Sequence, residues 1–147
     1  MMVVLFYRTE ENMRTFIRSP HSMIYSGGSA IATKQSKALP HPRSYGAAAR
    51  ALGFIGREKH DPPLEKIIYK TSRKVASYIG IHDRGVLQVG KAADIVAFDP
   101  STVSDEATFT RPGQPPIGIN YVIVNKTNPV AGGVQSEVRA EKELSGL

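Results

Sequence analysis

Ser22-Met23-Ile24-Tyr25-Ser26-Gly27-Gly28-Ser29 is the stretch on which the fold turns: a short apolar run that ends in a glycine pair. The run reads as a strand, and the glycines allow a sharp turn at its C-terminal end. Upstream, Met2-Val3-Val4-Leu5-Phe6-Tyr7 is a continuous apolar run of the kind found in fully buried strands. Between the two, Thr9 is placed to cap a helix whose first turn carries Glu10 and Glu11. Met13, Phe16 and Ile17 give that helix one apolar face, and Ser19-Pro20 stops it. Strand, helix and strand in close succession form the βαβ unit of a parallel sheet. In a parallel α/β barrel, the C-terminal strand ends carry the loops that build an active site.

Working downstream, a long loop covers residues 27–45 and holds His41-Pro42-Arg43-Ser44-Tyr45-Gly46. Loops of that length in compact domains are usually functional or disordered. Residues 47–55 have helical propensity, weakened by Gly46, Gly53 and Gly56. Residues 63–79 give the clearest helix: Pro63 suits its first turn, Leu64, Ile67, Ile68, Val75 and Ile79 form one stripe, and Gly80 ends it. Beyond Gly80 the pattern changes to short strands at 85–90, 93–99 and 119–125, with a proline-rich excursion over 100–118. Residues 126–147 lose periodicity and read as an irregular tail. No internal repeat is present.

The 147 residues suit one domain with a modest core. There is no cysteine, which excludes disulfides, thiolate metal sites and a Cys nucleophile. The apolar start is short and lacks a basic segment before it or a small-residue cleavage site after it, so it is a poor secretory leader. No apolar run approaches the roughly 18 residues a membrane span needs. A soluble, cytoplasmic protein without membrane contact is expected. The net charge of +6 is unevenly spread: residues 1–91 hold 15 Lys and Arg against 6 Asp and Glu, residues 92–147 only 4 against 7. The basic residues stand singly and without interleaved aromatics, which favours a solvated basic surface over a nucleic-acid platform.

Several stretches together resemble the N-acyl-D-amino-acid deacylases, the D-aminoacylase-like branch of the amidohydrolases. They are the Ser26-Gly27-Gly28 turn, His41-Pro42-Arg43-Ser44-Tyr45-Gly46, Arg84-Gly85-Val86-Leu87, Gly90-Lys91-Ala92-Ala93-Asp94-Ile95-Val96, Phe98-Asp99-Pro100, Thr108-Phe109, and Gln114-Pro115-Pro116-Ile117-Gly118-Ile119. Tyr121-Val122-Ile123-Val124-Asn125 extends the likeness, which covers about residues 2–125. The resemblance implies an α/β fold: the last strands and helices of a TIM-like barrel, followed by part of a small β-sandwich domain. Residues 1–80 would form the barrel edge, 81–125 the strands of the small domain and 126–147 the tail. It implies a hydrolase of linear C–N bonds, most plausibly those of N-acyl-D-amino acids, with zinc as the family's cofactor.

The same resemblance implies what is missing. In that family the turn carries an Asp that helps hold the metal and takes the proton of the attacking water; here the position is Gly27. The family's His-X-His pair and later metal ligands correspond to nothing in this sequence. His21, His41, His60 and His82 show no ligand spacing, whereas a zinc site needs about three or four protein ligands. No metal site, no cofactor and no catalytic residue are therefore expected in this chain, which reads as a fragment or degenerate copy without activity of its own. Rescue of the missing carboxylate by Asp61, Asp83, Asp94 or Asp99 is disfavoured, because each has a turn or connection role. Ser29, His41, Arg43 and Tyr45 are the candidates on the substrate side. Arg43 would pair with a substrate carboxylate and Tyr45 would line the pocket. Alternatively, His41 and Arg43 bond the loop backbone, Tyr45 packs against the last helix, and Ser29 is a turn residue. A second copy or a companion chain is the expected partner, completing the barrel. The rival reading is a non-catalytic module that binds a partner or nucleic acid through its basic surface.

Overall fold

The computed structural model describes residues 9–28, 40–138 and 140. The strand expected over 2–7, together with Ser29, lies outside them. Helix α1, Glu10–Arg18, begins as the sequence indicates: Thr9 accepts the Asn12 amide on its hydroxyl at 3.2 Å, and Ser19 closes the helix. Helix α2, Arg43–Arg50, starts earlier than residue 47 and runs directly into a π-helical segment, Ala51–Glu58. The wide turns end where the Lys59 amide reaches back five residues to the Phe54 carbonyl at 3.1 Å.

Residues 63–79 form two helices, α3 Leu64–Thr71 and α4 Arg73–Tyr78, in place of the single helix expected. The break is at Ser72, where φ is −125° and ψ −87°. Local hydroxyl bonding is the physical cause. Thr71 Oγ1 donates to the Ile67 carbonyl at 2.9 Å and Ser72 Oγ to the Ile68 carbonyl at 2.5 Å, both competing with the helical ladder. Only Ile67 of the expected stripe is fully buried, while Ile68 and Ile79 stay 40% and 45% exposed. The core is small: Ala51, Ile55 and Ile67, with Met13, Ile17, Ile24, Leu52 and Phe54 packed around them.

Residues 22–25 form no strand among the described residues, a second correction. Their backbone is bound by the helices instead. The Ile24 amide donates to the Lys70 carbonyl at 3.1 Å, and the Ser22 carbonyl accepts from Lys74 Nζ at 2.9 Å and from Lys70 Nζ at 3.3 Å.

One antiparallel sheet follows, in the order β1 Ile95–Phe98, β2 Ile119–Val124, β3 Thr127–Ala131, β4 Val134–Gln135. Strands β1 and β2 agree with the sequence. Residues 85–90 do not form a strand: Leu87 and Val89 are 79% and 101% exposed, so no packed face holds them extended. The expected tail is also corrected, because residues 127–135 form the β3–β4 hairpin. Its turn is Gly132-Gly133, with φ of 58° and 78°, the pair of positive values that a tight two-residue hairpin requires. Between β1 and β2 the chain folds back on itself through Ser104 and Ile117, whose amides and carbonyls bond reciprocally at 3.3 and 3.0 Å. Val103 at its base is fully buried, and its carbonyl accepts from Arg57 Nη1 at 2.7 Å. That anchor seats residues 104–109 beside α2. Among the described residues no helix is long and apolar enough to cross a membrane.

Candidate functional site

The glycine turn and the His41–Gly46 stretch, far apart in sequence, are joined by hydrogen bonds. Ser26 Oγ donates to the Arg43 carbonyl at 2.9 Å and accepts the Gly28 amide at 3.1 Å. Arg43 Nε donates to the Gly27 carbonyl at 3.1 Å, and the Arg43 amide donates to His41 Nδ1 at the same distance. Gly28 is sterically required, since a Cβ there would come within 2.6 Å of Ser44 Cα. Gly27 is not: the nearest atom to a Cβ would be Arg43 Nε, at 3.9 Å.

His41 and Arg43 stand at the mouth of a cavity of about 440 Å³. Met13 and Ile17 of α1, Ile24 and Phe109 supply apolar wall, and Arg50, Asp105 and Thr108 supply polar groups. A few convergent polar groups on an apolar concavity is the usual composition of a small-molecule site. The His41 ring stands edge-on to Phe109, with centroids 5.2 Å apart and planes at 78°. Burial first, and then the Arg43 charge, lower the His41 pKa below its ordinary value, in keeping with Nδ1 acting as an acceptor. Tyr45 is half-buried on α2 and is not among the residues lining this cavity.

Arg50 and Asp105 were not singled out from the sequence, and Phe109 stood out only as part of the family likeness, without a role in the site. Arg50 lies two helical turns beyond Arg43, and that spacing on one face was the available signal. Asp105 pairs with Arg50 at 3.5 Å, with its side chain 14% exposed. Its Cβ lies 2.8 Å from where a Cβ on Gly46 would be. Asp105 carries no local signal, and the Thr108-Phe109 likeness says nothing of this cavity, because only the fold-back through Ser104 and Ile117 brings them here.

The other carboxylates are occupied elsewhere. Asp61 accepts from Arg14 Nη2 at 2.6 Å and from Arg18, and these guanidinium groups hold its carboxyl down to about 2. Asp94 binds Arg84 and the Asn125 amide; burial opposes its charge, but those donors still keep its pKa below the usual range. Asp99 is bound by the hydroxyl and amide of Ser101, which lower its pKa, and Asp83 lies beside Arg84 at 3.8 Å. Among the described residues, no three His, Asp or Glu side chains converge on a point that could hold a metal ion. Gly27 offers no side-chain donor, and the charge nearest the turn is the Arg43 cation. These residues do not fit a zinc ion.

Comparison with known proteins bears directly on this arrangement. Residues 23–126 match the profile of the amidohydrolase family. The chain is 44% identical over 86 residues to a D-aminoacylase of Alcaligenes xylosoxydans xylosoxydans, a match covering 58% of this chain and 18% of that protein. A crystal structure of D-aminoacylase superposes with a TM-score of 0.80 at 32% identity, covering 90% of this chain and 27% of the other. The N-acyl-D-glutamate deacylase of Bordetella bronchiseptica, solved with zinc and a phosphonate that mimics the tetrahedral intermediate, gives a TM-score of 0.75 at 34% identity over 90% of this chain and 28% of its own. The chain therefore spans about a quarter of the length of the structures it matches. Its helices and antiparallel sheet are part of the α/β fold of those enzymes, and the chain belongs to the amidohydrolase family, on its D-aminoacylase-like branch.

Proposed function

We propose that this chain forms the glycine-turn side of a hydrolase site for linear C–N bonds, the substrate class being N-acyl-D-amino acids, and that alone it is inactive. The observation that carries this reading is the bond from Arg43 Nε to the Gly27 carbonyl, which unites the glycine turn with the His41–Gly46 stretch. With Nε held, the Nη1 and Nη2 groups of Arg43 are left to grip a substrate carboxylate in bidentate fashion. His41, neutral because its Nδ1 accepts a backbone amide, orients that arginine. Ser29, beyond the glycine pair, would contact the rest of the substrate, whereas Tyr45 on α2 lies outside the cavity lining. The zinc that relatives hold would be bound by residues this chain does not supply, so a second copy or a companion chain would have to provide the remaining barrel. The proton acceptor of the attacking water is missing at Gly27, which is why the chain is read as a degenerate copy.

The nucleic-acid alternative gains no support. Arg14, Arg18 and Arg84 are paired with carboxylates, and Lys70 and Lys74 donate to carbonyls, so these five cations are engaged within the chain.

The test is a chimera that joins this chain to the upstream barrel of an active D-aminoacylase, with Gly or Asp at position 27. The Asp form is expected to hydrolyse an N-acyl-D-amino acid about 10²–10⁴-fold faster, the usual contribution of a positioned proton acceptor. Equal rates in two folded, metal-loaded chimeras would show that the turn is not at the reacting centre.

A further inference from the structure

The connection between β1 and β2 places one aromatic ring, Phe109, against His41 at the site. Phe109 stands edge-on to His41; His41 Nδ1 accepts the Arg43 amide; and Arg43 Nε grips the Gly27 carbonyl. An edge-on ring contact fixes the plane of an imidazole, because the positive ring edge of one partner meets the negative face of the other. That plane decides whether Nδ1 points at the Arg43 amide. The contact is absent from the local sequence of either partner: His41 sits in the loop before α2, whereas Phe109 arrives from the far side through the Ser104–Ile117 fold-back. Phe109 is 44% exposed, so its ring is only partly covered where it meets His41.

We infer that Phe109 is a positioning residue of the site, which holds the His41 imidazole in the orientation and tautomer that set the Arg43 guanidinium against the Gly27 turn. The consequence is that the small β-domain determines the geometry of the carboxylate-binding arginine, and with it how a substrate carboxylate would be seated. The assignment of a carboxylate to Arg43 rests on the reading above; the relay from Phe109 to Arg43 does not. Other charged groups around the same cavity are Arg50 and Asp105, which pair with each other at 3.5 Å.

The experiment uses the full chain, labelled with ¹⁵N at histidine and arginine, and follows the His41 ring nitrogens and the Arg43 Nε–H by NMR across a pH titration. In the parent chain His41 is expected as the neutral tautomer protonated on Nε2, titrating below its ordinary value. Phe109→Leu should raise the His41 midpoint toward that ordinary value, mix the tautomers and shift or broaden the Arg43 Nε–H signal. Phe109→Tyr, which keeps the ring, should restore all three. Phe109→Met, apolar but not aromatic, is read in the same way and decides the question if the leucine variant fails to fold. An unchanged titration and an unchanged Arg43 signal in a folded leucine or methionine variant would overturn the relay. Adding N-acetyl-D-glutamate to the parent chain tests the carboxylate reading separately: if Arg43 does not respond while the Phe109 variants behave as stated, that reading fails and the relay stands.

Discussion

Asp61 joins the turn ahead of α3 to α1 through two guanidinium groups, Arg14 at 2.6 Å and Arg18 beside it. Its sequence neighbours, two prolines, mark it only as a turn residue, and its ionic role depends on α1 lying across the turn. The hydrogen bonds from Arg18 and then Arg14 lower its pKa from 3.8 to about 2. A carboxyl whose pKa is lower in the folded than in the unfolded state stabilises the fold above its unfolded value. That contribution is lost as pH falls through the folded value. Asp61→Asn is therefore expected to lower Tm near neutral pH, and the difference from the parent should close as pH falls from about 4 to about 2. Thermal melts at stepped pH measure it, and a difference that stays constant over that range would show that the ionic contact is not what matters.

At the scale of elements, α1 and the α3–α4 break are tied together by a buried cation. Lys70 is 4% exposed, and its Nζ donates to the Ser19 carbonyl, to Ser22 Oγ at 2.8 Å and to the Ser22 carbonyl at 3.3 Å. Burial, and then the charges of Lys74 and Lys66, push its pKa down. Lys70→Met would keep much of the apolar stem and remove the ammonium, while the Ser19 carbonyl keeps the Ser22 amide and hydroxyl as donors and the Ser22 carbonyl keeps Lys74. A loss of about 1.5–3 kcal/mol is expected in urea unfolding, the usual net worth of hydrogen bonds made by a charged group. No change in the midpoint would show that water replaces the ammonium without penalty. Much of the element order was legible in the sequence: Thr9 as a cap, Ser19 as a stop, and the β-branched runs of β1 and β2. The Ser72 break was not, because Thr71 and Ser72 act through hydroxyl geometry that apolar periodicity does not register. The β3–β4 hairpin carried a readable signal in Gly132-Gly133 between apolar residues, but its strands are too short to alternate visibly. In the site, His41, Arg43 and Gly27 could be named from motifs, whereas Asp105, and the place of Phe109 beside His41, could not, since a tertiary fold-back delivers them.

For the molecule as a whole, the sheet register aligns Ala97, Tyr121, Ala131 and Val134 in one row across all four strands, and every one of them is exposed. Outer edges of β1 and β4 flank this row, a combination that invites pairing with another chain. The purified chain is expected to associate with itself, and Val134→Lys to shift the population toward monomer by placing a charge in the row. Light scattering over a concentration series checks this, and a parent chain that stays monomeric at high concentration would sink it. One further consequence belongs to the glycine turn. Gly28 is pinned by Ser44, but position 27 opens onto space in which the nearest atom to an added Cβ would be 3.9 Å away. Among the described residues no backbone atom stands in the way of a side chain at position 27, so a carboxylate is sterically admissible there, while the adjacent glycine is held to its identity by the fold.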